Sequence, residues 1–64
     1  MSVKRKELIK YLLANGCFLK REGSRHSIYS TLDGVSIVAV PRHNEIKVIV
    51  ANEICKQADL KTKF

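Results

Sequence analysis

The sequence predicts an α+β fold of order α-β-β-β-α, with two helices on one face of a three-stranded antiparallel sheet. Three observations carry that prediction. Leu8, Ile9, Leu12 and Leu13 form an apolar stripe of helical spacing near the start. Three short strand-like runs follow, separated by glycine-containing turns. Ile46, Val50, Ile54 and Ala58 then recur every four residues, with Ala51 and Cys55 beside them.

In the first helix Ser2 is the expected cap, and Lys4, Glu7 and Lys10 lie on or near the polar face. Asn15-Gly16 ends it, with Gly16 suited to the left-handed position after a helix. Cys17–Arg21 reads as the first strand and Glu22-Gly23-Ser24 as a turn. The second strand runs from about Arg25 to Thr31, and Asp33-Gly34 is expected to form a hairpin turn. Val35–Val40 is the third strand, stopped by Pro41. Val48-Ile49-Val50 favours a strand on propensity alone, but the four-residue recurrence outweighs it. The expected helix therefore covers Lys47–Ala58 and leaves Ile49 toward the polar side.

Sixty-four residues are expected to form one domain, 1–64, with a frayed basic tail over 58–64. The two helices cover one sheet face, and the other stays open. Cys17 and Cys55 lie far apart without a Cys-x-x-Cys motif and read as reduced, buried thiols. No apolar run is long enough for a signal peptide or a bilayer span, so the expectation is a cytoplasmic protein with no membrane contact.

Charge sets the class of partner. Twelve Lys and Arg against six Asp and Glu give a net charge of +6. That excess on a small body favours nucleic acid or another anionic partner. Lys20, Arg21 and Arg25 crowd one end of the first hairpin, and Arg42 and Lys47 follow the third strand. Such a cluster suits phosphate oxygens, with backbone N–H groups of Gly23 and Ser24 as further donors. Taken singly, the same side chains need do no more than solvate a small protein.

His26 follows that turn in the run Gly-Ser-Arg-His. Histidine takes and returns protons near neutrality. RNA carries its own nucleophile, the 2′-hydroxyl, so a histidine flanked by arginines supplies much of what strand cleavage needs without a metal. The plainer reading is a structural histidine at a strand start. His43 is either a second acid–base or phosphate-binding group or an ordinary loop residue. Two histidines without an acidic cluster do not make a zinc site, and no phosphate-binding loop or serine-nucleophile motif is present. No cofactor is expected. Strict alternation puts His26 and Ile28 on one strand face, so either Ile28 is exposed or a bulge after the turn re-aims the histidine. The bulge is the expectation.

The architecture is similar to that of the double-stranded-RNA-binding domain. The Gly-Ser-Arg-His run, the Asp33-Gly34 hairpin, Val-Pro-Arg-His and the closing "EIKVIVANEICKQADL" together resemble the HicA toxins, small mRNA interferases of bacterial toxin–antitoxin pairs. The likeness covers nearly the whole chain, and order and spacing carry it more than any single motif. The resemblance implies that fold, mRNA cleavage, inactivation by a HicB-type antitoxin, and a catalytic histidine at His26. Asp59 stands where such toxins often have glycine. Two other readings use the same features: a non-catalytic RNA-binding module, and a subunit whose basic face meets an acidic partner. An antitoxin that covers this face is expected to bring carboxylates or hydrogen-bond acceptors.

Overall fold

The computed structural model describes all residues, Met1–Phe64. Its elements are β1 (Ser2–Lys4), α1 (Arg5–Ala14), β2 (Phe18–Glu22), β3 (His26–Ser30), β4 (Ile37–Pro41), β5 (Glu45–Lys47) and α2 (Val48–Gln57). β2, β3 and β4 form the expected antiparallel sheet, in that order. A second, two-stranded antiparallel ribbon pairs β1 with β5. Sequence reasoning missed this ribbon, because three residues are too short a run to show a strand period.

The ribbon joins the starts of the two helices. Ser2 pairs with Lys47, Val3 with Ile46 and Lys4 with Glu45. Ser2 therefore does not cap α1; its hydroxyl donates to Glu45 Oε1 at 2.7 Å. Lys4 holds the cap position without a side-chain hydrogen bond. The Arg5 amide instead donates to the Asn44 carbonyl at 2.8 Å, so the chain before β5 does the work of a cap.

Both helices end in the same way. The Gly16 amide donates to Leu13 and the Cys17 amide to Leu12, the paired bonds of a Schellman ending. At the end of α2 the Asp59 amide donates to Lys56 and the Leu60 amide to Cys55. The residue past the cap is left-handed in each case, with φ +88° at Gly16 and +60° at Asp59. Asp59 is the only non-glycine residue with positive φ. That explains why glycine suits this position, and why a short polar side chain that tolerates the conformation can replace it.

Leu8 and Leu12 of α1, Ala51, Ile54 and Cys55 of α2, and Tyr29, Val38 and Val40 of the sheet meet in one core with Cys17, Ile46 and Ala58. The α1 stripe is narrower than expected: Leu13 is 52% exposed, and Tyr11 packs against the core instead. The α2 face is also rotated, with Val50 partly exposed and Ala51 buried. Ile49 is exposed, as its position toward the polar side of the helix predicts. Both cysteines are free and buried, and burial pushes both thiols above their ordinary pKa.

Three local expectations are corrected. The β3–β4 connection is wider than an Asp33-Gly34 two-residue turn: Thr31 N–H bonds the Ser36 carbonyl, and only Gly34 takes positive φ. Val35 and Ser36 thus belong to the loop, and Pro41 closes β4 opposite His26. The last residues, expected to fray, are docked. Tyr11 Oη donates to the Lys61 carbonyl at 2.8 Å, and the Phe64 amide donates to Asn52 Oδ1 at 3.1 Å. The rings of Tyr11 and Phe64 meet edge to face at 5.9 Å, a favourable aromatic geometry.

Candidate active site

The site is built on the first residue of β3. His26 is exposed and pairs across the sheet with Pro41. β3 is regular, so no bulge re-aims the histidine. Ser27 and Tyr29 point to the core, while His26 and the half-buried Ile28 share the open face. The irregularity lies in β2 instead, between Leu19 and Arg21, where Lys20 is the extra residue. Of the two ways to reconcile His26 with Ile28, the structure takes the one in which Ile28 sits on the open face.

Arg25, His26, Pro41, Arg42 and His43 line one pocket of about 290 Å³. Both histidines are thus brought together from positions seventeen residues apart in sequence. Lys20 and Arg21 do not join them. They line a neighbouring pocket with Ile28 and Ile37, farther along the sheet.

Two arginines shape this end of the sheet. Arg42 reaches back from the end of β4. Its Nε donates to the Gly23 carbonyl at 3.0 Å, and one Nη meets Glu22 Oε2 at 2.8 Å. Two of its five N–H groups are used, which leaves donors free for an anion. Arg5 approaches from the first turn of α1. Its Nε donates to the Pro41 carbonyl at 2.8 Å and its Nη2 to the Ser27 hydroxyl at 2.7 Å. It therefore holds the residue that pairs with His26 and the residue that follows it. The Ser27 hydroxyl, helped by Arg42 and Arg5, keeps the Glu22 carboxyl below its ordinary range.

Gly23 has a different role from the one expected. Its amide donates to the His26 carbonyl at 2.8 Å. A Cβ at Gly23 would lie 2.8 Å from that same oxygen, too close for any side chain. The glycine permits the tight closure that sets His26 at the head of β3, and its N–H is not free for a phosphate. Ser24 and Arg25 are exposed beside it.

Arg5 is a residue of this site that the sequence pattern did not single out. Its bonds span 36 and 22 residues, so no local pattern points to it. The one available signal was Ser27, a polar residue at a core-facing strand position, which needs a partner when buried. No three His, Cys, Asp or Glu side chains gather to form a metal-binding group. No helix is long and apolar enough to cross a membrane.

No curated protein and no solved structure gives a significant match to the chain. A family model does. Residues 5–60, from the arginine that braces the site to the leucine that completes the second helix ending, match the family described as the HicA toxin of bacterial toxin–antitoxin systems. The chain therefore belongs to the HicA toxin family.

Proposed function

We propose that this toxin is a metal-independent endoribonuclease that cleaves messenger RNA with His26 as its proton-transfer group. The observation that carries the reading is the pocket itself. It gathers two imidazoles and two guanidiniums on an exposed sheet end, a set suited to a phosphodiester and its neighbouring hydroxyl. In this reading an imidazole takes the proton of the ribose 2′-hydroxyl. The 2′-oxygen then forms a bond to the adjacent phosphorus. The bond from phosphorus to the 5′-oxygen breaks, and that oxygen takes up a proton. The products are a 2′,3′-cyclic phosphate and a 5′-hydroxyl. Arg25 and the free donors of Arg42 face the phosphate, and their charge stabilises the extra negative charge of the transition state. His43, in the same pocket, is the second proton-transfer group.

The family places an antitoxin opposite this toxin. In our reading the antitoxin is of the HicB type and acts by covering the His26 pocket with carboxylates or other acceptors. A cover without them would leave guanidiniums desolvated and unpaired.

Purified protein incubated with messenger RNA in EDTA tests the proposal. The wild type is expected to cleave, and His26→Ala to lose cleavage by at least about a hundredfold while keeping its fold. Cleavage that survives His26→Ala, or that stops in EDTA, overturns it. Intact RNA with the wild type would favour a binding module without catalysis.

A further inference from the structure

Resting on the ribonuclease reading of His26, we infer that the open face of the β2-β3-β4 sheet is a track for a single-stranded RNA segment, with one base stacked on Phe18. The backbone then runs past Lys20 and Arg21 to His26.

The register puts the parts on one surface. Phe18 lies opposite Ser30, and Ser30 opposite Ile37. Arg21 lies opposite Ile28, and Ile28 opposite Ala39. His26 lies opposite Pro41 on the same face. Cross-strand partners project to the same side of a sheet, so these residues share one face, with Ser30 itself buried between the exposed Phe18 and Ile37. Neither helix covers that face. Phe18 is 48% exposed and Ile37 56% exposed, a large apolar outlay for so small a protein to leave in water.

Charge identifies the occupant. Lys20 and Arg21 border the apolar floor in a pocket of about 360 Å³ that also holds Ile28 and Ile37. The bulge at Lys20 sets these two basic residues side by side at this edge. None of the six acidic residues lies on the open face: Glu22 pairs opposite Ser27 on the core side, and the others belong to the helices, β5 and loops. An exposed aromatic ring among apolar residues, flanked only by positive charge, is the chemistry that binds single-stranded nucleic acid. A duplex keeps its bases paired and stacked and has no free base face to offer. The floor also opens onto the His26 pocket. From Ser30 to His26 is about 13 Å, four residues at ~3.3 Å each, the span of a few nucleotides.

The test uses the whole chain and a labelled single strand of about 12 nucleotides with 2′-O-methyl sugars, which binds without being cut. Its duplex is the comparison. The wild type is expected to bind the single strand more tightly than the duplex. Phe18→Leu, which keeps apolar bulk but removes the ring, is expected to weaken binding at least about fivefold, and Phe18→Tyr to retain it. Equal affinity of Phe18→Leu and wild type, or tighter binding of the duplex, overturns the track. If that occurs while the wild type cleaves RNA and His26→Ala does not, the ribonuclease reading stands alone. A wild type that neither binds nor cleaves RNA removes both. Loss of antitoxin binding by Phe18→Leu with RNA affinity unchanged overturns the track as well, by assigning the patch to a protein partner.

Discussion

The two ends of the central β3–β4 hairpin are held by opposite means. At the far end Thr31, Asp33 and Ser36 bond one another within six residues. Thr31 Oγ1 donates to Asp33 Oδ1 at 2.6 Å and accepts from the Ser36 amide at 3.2 Å. At the His26 end the strands are tied by Arg5 and Arg42, across sequence separations of 19 to 36 residues. The far loop is held by its own local sequence. The site end exists only once α1 has docked and β4 has paired. The end that holds the candidate site is thus the one the rest of the fold supports, through guanidiniums that reach it from distant parts of the chain.

The strongest way to break the comparison is at Arg5. Arg5→Ala removes two charge-assisted hydrogen bonds and leaves the buried Ser27 hydroxyl without its donor. Denaturant unfolding is expected to show a loss of about 2–3 kcal/mol, and RNA cleavage is expected to fall with it. Arg5→Lys restores only part, since an ammonium does not reproduce the two-pronged geometry. If Arg5→Ala folds and cleaves like the wild type, the bracing role is wrong.

Thr31→Val probes the far end. It keeps shape and removes the hydroxyl, and should cost about 1 kcal/mol of stability by the same measurement. Cleavage by the folded fraction should be unchanged. A cleavage defect equal to that of Arg5→Ala would show that the two ends are one cooperative unit after all.

The smallest effect is the dependence of stability on pH. Glu22 has a folded pKa below its unfolded one. Its contribution is present above the unfolded glutamate value of about 4.3 and is lost as pH falls through the lower folded value. Glu22→Gln is therefore expected to flatten the acid limb of the stability profile below that point. Asp33, held low by the Thr31 hydroxyl and the Val35 amide, contributes in the same direction at the other end. An acid limb identical in Glu22→Gln and wild type would mean that Glu22 does not couple the turn to Arg42.

Much of this was legible from local pattern. The helix ending at Asn15-Gly16 and the α2 helix with its exposed Ile49 follow from spacing and from a residue that tolerates positive φ. The sequence also singles out His26, a titratable ring beside fixed charge, and the catalytic role given to it above is a proposal. The misses share a different cause. The β1–β5 ribbon, the placement of the bulge at Lys20 and the anchoring of the tail by Tyr11 and Asn52 all depend on residues far apart in sequence. Gly23 shows both sides: the glycine marked a turn, but only the close approach of the His26 carbonyl shows why no other residue fits there.

Residue order alone determined the α+β class, the antiparallel order of the central strands, the basic character and the family, because hydrophobic period, turn chemistry and charge act over a few neighbouring residues. Tertiary structure alone decided which face His26 shares with Ile28, that His43 joins it, and that Arg5 braces both strands beneath it. Those outcomes depend on strand register and helix docking, where long-range hydrogen bonds and core packing select one arrangement from several that the local pattern permits equally.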